Sequence, residues 1–246
     1  MRSGLGAPAP VTRDRFGIGN RPLYPGNPMA HTLSEYESKQ LLADAGIPIP
    51  EERLVSSADE AAAAAEELGY PVALKLCGRG IAHKTERNLV RLDVGDADQA
   101  RRQAEDLLAQ RQPNEQEAGV LVQSMVSGRR ELIAGLLRDP QFGPCVMFGL
   151  GGVFAELVGD VAFAVAPLEQ HDADDLVQAL KHRKILEEFR GEPEADLEKL
   201  AHILAALGRI GEARPDVLSI DVNPLILSGS QPVVVDALVE LEGDPS

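Results

Sequence analysis

The chain of 246 residues, 44% hydrophobic and 26% charged, has the size of one to two ordinary domains and the composition of a soluble globular protein. Its 24 basic and 39 acidic residues give a formal charge of −15, which argues against nucleic acid or an anionic membrane as a partner, because no excess of cations is there to neutralise phosphates. No run reaches the roughly 18 apolar residues of a membrane span and the N-terminus lacks a hydrophobic signal core, so a cytoplasmic protein is expected.

Residues 1–30 are rich in Gly and Pro, lack periodicity and read as a disordered extension. Met29 directly precedes the first organised segment, which leaves open that translation starts there. Ser34 to Glu37 then forms a capping-box start, Leu41, Leu42 and Ala45 supply an apolar stripe, and Gly46 with Pro48 stops the helix. Ser57 to Glu60 opens an Ala-rich helix that ends at Gly69, and Tyr70-Pro71 turns the chain into a strand over 72–77. A second strand is expected over 89–94, and Asp96 with Gln99 caps a helix running to about Gln110. The polar stretch from Arg111 to Ala118 reads as a loop between two lobes.

The middle of the chain is strand-rich. Segments 120–123 and 131–137, separated by Ser127-Gly128, have hairpin character, and further strands are expected over 145–148 and 161–166. Helical spacing covers 172–184 and 196–210, the latter through Leu197, Leu200, Ile203, Leu204 and Leu207. Two strands, 217–227 and 232–238, close the chain around the turn Ser228-Gly229-Ser230. The expected class is α+β, in two lobes.

Several residues break the pattern. Lys75 interrupts the apolar strand V-A-L-K-L-C; it either faces solvent from a half-exposed strand or directs an ammonium at phosphate. His83-Lys84-Thr85, preceded by Gly78-Arg79-Gly80, combines small residues, a hydroxyl and cations, a composition suited to a phosphate loop in which neutral imidazole can accept a phosphoryl group. A solvated loop histidine fits the same residues. Gly149-Leu150-Gly151-Gly152 matches neither a dinucleotide-binding fingerprint nor a P-loop, and a close backbone contact explains it as well as a ligand does. Asp221 and Asn223 project to one face if their segment is a strand, and Asp236 joins them if the last two strands form a hairpin. That trio of hard oxygen donors suits Mg²⁺, although Asn and Asp beside Pro224 are also ordinary strand-end residues. Cys77 and Cys145 sit in apolar runs and read as small buried residues.

In their order, L-S-E-Y-E-S-K-Q-L-L, A-G-I-P-I-P, G-Y-P-V-A-L-K, I-A-H-K-T-E, V-L-V-Q-S-M, R-E-L-I-A-G-L-L-R-D-P-Q-F-G-P, F-G-L-G-G, F-R-G-E-P and S-I-D-V-N-P-L resemble one family. It is the ATP-grasp domain of ADP-forming acyl-CoA (acetyl-CoA) synthetases, related to the β-subunit of succinyl-CoA synthetase, and the resemblance runs from about Leu33 to Leu241. It implies an ATP-grasp fold with a first lobe over 31–115, a second over 116–246, and ATP or ADP with Mg²⁺ between them. By the same resemblance Lys75 and Lys84 hold phosphates, Gln123, Ser124, Met125 and Val126 form the hinge that meets adenine, and Glu131 contacts the ribose. Asn223 and Asp236, with Asp221 in support, are the Mg²⁺ ligands, His83 relays a phosphoryl group, and Arg190 is a phosphate or interface candidate. A separate CoA-binding α-type subunit is implied as partner, in a hetero-oligomer. Asn88 and Leu89 stand where the family often has two glycines, and Glu188 where a glycine is common; a side chain at 88 or 89 is expected to limit how closely the loop folds over a triphosphate. A stand-alone ATP-grasp ligase with another acceptor and a non-catalytic ATP-sensing module are the alternatives.

Overall fold

The structure, a computed structural model, describes residues 30–81, 84, 87–152 and 158–243. The expected N-terminal extension, apart from Ala30, and His83 lie outside the described residues. Among the described residues eleven strands form two antiparallel sheets. The smaller has the order β2 (Glu52–Val55), β5 (Gly119–Ser124), β3 (Val72–Cys77), β4 (Val90–Val94). The larger runs β1 (Ala30–Thr32), β11 (Ala237–Glu242), β9 (Val217–Ser228), β6 (Arg130–Asp139), β7 (Gly143–Leu150), β8 (Val161–Val165), with β10 (Gln231–Val234) also paired to β9.

Each sheet builds its own core by strand alternation. In the small sheet Val72, Leu74, Leu76, Val120 and Val122 point to one face and pack against α2 (Ala58–Leu68) and α3 (Ala97–Ala109). Burying each such aliphatic side chain contributes about 1.5–3 kcal/mol. Ala73, Lys75, Leu121 and Gln123 are thereby sent to the opposite face. The large sheet is covered by α1 (Glu35–Asp44), α4 (Gln170–Gln178) and α5 (Leu197–Ala213), whose Leu200, Ile203, Leu204 and Leu207 are fully buried.

The first helix starts where the capping box places it: Ser34 Oγ accepts from the Glu37 backbone N–H, and the Glu37 carboxylate accepts from that of Ser34. Its buried face is Glu35, Ser38, Lys39 and Leu42, however, not a purely apolar stripe. The helix expected over 172–184 ends at Gln178, because the Asp160 carboxylate accepts the backbone N–H groups of Lys181 (3.0 Å) and His182 (2.6 Å) and draws the chain off the helical path. A short 3₁₀ turn, Arg183–Leu186, follows. Cys77 and Cys145 are buried and free.

Two expectations are corrected. Strands β5 and β6 do not form a hairpin: β5 pairs with β2 and β3, β6 with β7 and β9. The chain therefore crosses between sheets after Ser124, not in the stretch 111–118, and β5 supplies Val120 and Val122 to the small core. Likewise β1 and α1 pack on β11, so the segment 30–44 belongs with the large sheet. Gly128 admits the crossover, since a Cβ there would lie 2.2 Å from the Leu227 carbonyl oxygen.

The β2–β5 contact is tight at Gly119, where a Cβ would lie 2.4 Å from the Val55 carbonyl oxygen. Gly119→Ala is expected to destabilise the protein by about 2 kcal/mol through overpacking, read as a lower denaturation midpoint in a urea titration.

Candidate functional site

The face of the small sheet turned away from its helices carries Lys75. The residue is 4% exposed, so the solvent-facing reading of this lysine is overturned. Its Nζ donates to Glu35 Oε1 at 2.6 Å, to Gln123 Oε1 at 3.2 Å and to the Val235 carbonyl at 3.1 Å. Gln123 stands opposite Ala73 on the neighbouring strand and Glu52 opposite Gln123 on the next, which puts all three side chains on Lys75's face.

Across the junction, α1 contributes Glu35 and Lys39. Lys39 is fully buried; its Nζ lies 2.7 Å from Gln123 Oε1, 3.0 Å from Glu35 Oε1 and 2.5 Å from Glu52 Oε2. Lys84 completes the cluster, bridging Glu35 Oε2 and both oxygens of Asp236, at 3.1 Å from Oδ1 and 3.0 Å from Oδ2. Asp236 sits in the break between β10 and β11, both of which pair with β9, so Val235 offers its carbonyl and Asp236 its carboxylate at one place. Lys75 and Lys84 from the small-sheet side thus meet Glu35, Asp236 and the Val235 carbonyl from the large-sheet side, while Lys39 of α1 reaches the other way to Glu52 of β2.

Burial pushes the Glu35 carboxyl up, but the ammoniums of Lys75, Lys84 and Lys39 outweigh it and hold the group well below the usual carboxylate range. Burial likewise opposes the charge on Lys39 and Lys84, and carboxylates win in both: Glu35 and Glu52 for Lys39, Asp236 and Glu35 for Lys84. Glu52 is raised by burial, only partly offset by Lys39.

The C-terminal acids come together as the strand pattern implies. Asp221 and Asn223 are exposed on β9 on either side of buried Val222, and the Asn223 backbone N–H donates to the Asp236 carbonyl at 3.1 Å. Surrounding protein and the Asp236 carboxylate push the Asp221 carboxyl up to about 6, although the residue keeps solvent access, as expected in a recess. Among the described residues no three His, Cys, Asp or Glu side chains form a metal site by themselves. Asp221, Asp236 and the Asn223 amide nevertheless offer the hard oxygens that Mg²⁺ takes when waters and phosphate oxygens complete its shell.

The remaining candidates lie around this centre or apart from it. Ser124, Met125 and Val126 are half-buried in the crossover, where Ser124 N–H donates to Glu51 (2.9 Å) and Met125 N–H to Pro71 (3.3 Å), so those two donors are already taken. Glu131 is exposed at the start of β6, and its carbonyl accepts from Gly151 N–H at 2.8 Å. A Cβ at Gly151 would lie 2.9 Å from the Glu131 backbone, which explains that glycine by close packing, and Gly152 has φ +62°, in the left-handed region that favours glycine. Arg190 stacks 5.1 Å over the exposed Phe189 ring on a turn closed by Phe189 and Glu192, and among the described residues no hydrogen bond or ion pair joins it to the lysine cluster.

The loop that replaces two family glycines keeps a glycine-like course. Asn88 has φ +55°, a left-handed conformation that Asn tolerates better than most residues, and Leu89 is buried in the small core. Arg87 anchors the loop base with two bonds to Glu115, 2.6 and 2.9 Å. Sequence reasoning missed Glu35, Lys39 and Glu52; the available signal was a charged pair at i and i+4 on the same helix face as Leu42.

A family model described as an ATP-grasp domain matches residues 27–241. The chain is 38% identical over 217 residues to the β-subunit of acetate–CoA ligase [ADP-forming] II of Pyrococcus furiosus, covering 86% of this chain and 92% of that one. Among solved structures, acetyl-coenzyme A synthetase 1 of Ca. Korarchaeum cryptofilum in complex with coenzyme A and Ca-AMPCP is 39% identical, with a TM-score of 0.81 over 86% of this chain and 94% of that chain. A second structure of that enzyme, 37% identical with a TM-score of 0.74 over 85% and 92% of the two chains, holds coenzyme A and Mg-AMPPCP with its phosphohistidine segment pointing towards the nucleotide site.

Removing the shared carboxylate leaves three buried ammoniums short of a partner, so Glu35→Gln is expected to cost about 3 kcal/mol or more. Because the folded-state carboxyl is depressed, its contribution is complete above the unfolded value near 4.5 and is lost as pH falls through the folded value. Urea midpoints compared at pH 7 and pH 4 should therefore show a smaller gap between wild type and Glu35→Gln at the lower pH.

Proposed function

The chain belongs to the ATP-grasp family, and from that membership we propose that it is the nucleotide-binding subunit of an ADP-forming acyl-CoA ligase, working with a separate CoA-binding chain. The observation that carries the reading is the meeting of Lys75 and Lys84 with Glu35 and Asp236 where the two sheets face each other. It sets ammoniums beside hard oxygen donors, as a metal-bound triphosphate requires. The P. furiosus relative is by description the β-subunit of such a ligase, and the match spans nearly all of both chains. The Korarchaeum enzyme's complexes with Mg-AMPPCP and coenzyme A support ATP or ADP, Mg²⁺ and a CoA-binding partner here.

The overall reaction is acyl-CoA + ADP + phosphate ⇌ carboxylic acid + CoA + ATP. Lys75 and Lys84 exchange carboxylate partners for phosphate oxygens and neutralise the charge that develops on them. Asp221, Asn223 and Asp236 hold the divalent ion, which supplies further charge neutralisation when bound. Ser124 to Val126 and Glu131 position the adenosine. His83, as neutral imidazole, attacks the terminal phosphorus of ATP; the bond from that phosphorus to the β–γ bridging oxygen breaks, ADP leaves, and the phosphoryl group rests on the ring nitrogen before transfer onward. In the other direction the same nitrogen delivers it to ADP.

His83→Ala is expected to bind ATP within a few-fold of wild type by calorimetry and to acquire no ³²P from γ-labelled ATP. Labelling that survives the substitution removes the relay role.

A further inference from the structure

At the junction three lysines meet three carboxylates at close range. Lys39, Lys75 and Lys84 face Glu35, Glu52 and Asp236, three ammoniums against three carboxylates, in contacts of 3.1 Å or less. Lys84 is the member that touches a proposed metal ligand. Its Nζ lies across both Asp236 oxygens, at 3.1 and 3.0 Å, while also contacting Glu35. A magnesium ion takes a carboxylate oxygen at about 2.0–2.1 Å and brings its own ordered ligand shell. Because the ammonium lies against both Asp236 oxygens, an ion that takes either oxygen meets Lys84 directly, and the two positive charges repel. Nor is withdrawal of Lys84 into water simple, because its side chain is 14% exposed and extends between two carboxylates. Once displaced from Asp236, the ammonium needs a new anion within reach, and phosphate oxygens are the anions this site is built to admit.

We propose that Lys84 is an internal counter-cation for Asp236 that a divalent ion must displace, so that metal binds weakly alone and firmly only when nucleotide phosphates are present to receive the lysine. The inference rests on the reading of Asp236 as a metal ligand. It gives Lys84 two successive partners: the Asp236 carboxylate first, the phosphates afterwards. A free divalent cation entering alone sets two further positive charges beside the Lys84 ammonium; one entering with a triphosphate brings negative charge that offsets them. Order of loading thus follows from charge balance, with no second ligand site required.

The test is Mn²⁺ binding to the full chain, followed by electron paramagnetic resonance with and without AMPPCP. Lys84→Met is expected to bind Mn²⁺ alone about tenfold tighter than wild type, and Lys84→Gln, which keeps a donor and most of the volume, to shift the same way if the methionine variant folds poorly by circular dichroism. The gain should vanish in Lys84→Met/Asp236→Asn. Metal-only affinity that is unchanged or weaker in folded Lys84 variants overturns the proposal. Asp236→Asn in the wild-type background separates the two readings: lost Mn²⁺ binding in the presence of AMPPCP upholds Asp236 as ligand, so that a failure of the Lys84 variants then falls on this inference alone. Unchanged binding removes the ligand assignment and the inference with it.

Discussion

One carboxylate, that of Glu35, receives ammoniums from three places in the chain: one turn along its own helix, the middle of a strand in the other sheet, and the loop beyond that strand. Taking so many charges out of water is tolerable only when every partner is in place, and a buried network of this kind is worth less as a source of stability than as a specification of geometry. The two sheets have separate apolar cores, and each closes by ordinary strand alternation. The polar face left over on the small sheet has to find partners, and it finds them on α1 and in the break between β10 and β11. The junction therefore carries charge pairing beside the buried apolar side chains of Ala73 and Leu121.

Much of this was legible in the sequence. The caps at Ser34, Ser57 and Asp96 mark helix starts that the structure keeps. The last strands bring Asp221, Asn223 and Asp236 together because period two and a tight turn leave little freedom. The misses share a cause. Segments 120–123 and 131–137 look like a hairpin because strand pattern and a Ser-Gly pair are local signals, whereas the choice of sheet depends on which apolar faces meet across long sequence separations. Lys39 and Glu52 went unnoticed because a charged residue on an N-terminal helix or at a strand start normally faces water, and its burial becomes visible only when the partner element is known. For Lys75 the opposite held: an ammonium inside an apolar strand is anomalous without any partner, and it was noticed for that reason.

The loop after β3 shows how a departure from a family pattern is absorbed. Two glycines suggest freedom of backbone and absence of side chains, but only the first of these positions uses a left-handed conformation, and Asn88 supplies it. At the second, Leu89 contributes apolar volume to the small core. The replacements thus move stability into the loop's base without demanding a different course for the chain there.

Strand β9 carries Asp221 and Asn223 and is paired along its length, to β6 on one side and to β10 and β11 on the other. Opening it locally would break ladders on both flanks and expose Ile220, Val222 and Leu225, so these two residues sit in a part of the molecule that unfolds only when the whole lobe does. Lys84, by contrast, is tied to the acidic side through side-chain contacts alone. In mechanical terms Asp221 and Asn223 are fixtures of the fold and Lys84 an attachment, and amide exchange would report the difference as slow protection along β9 and faster protection around residue 84.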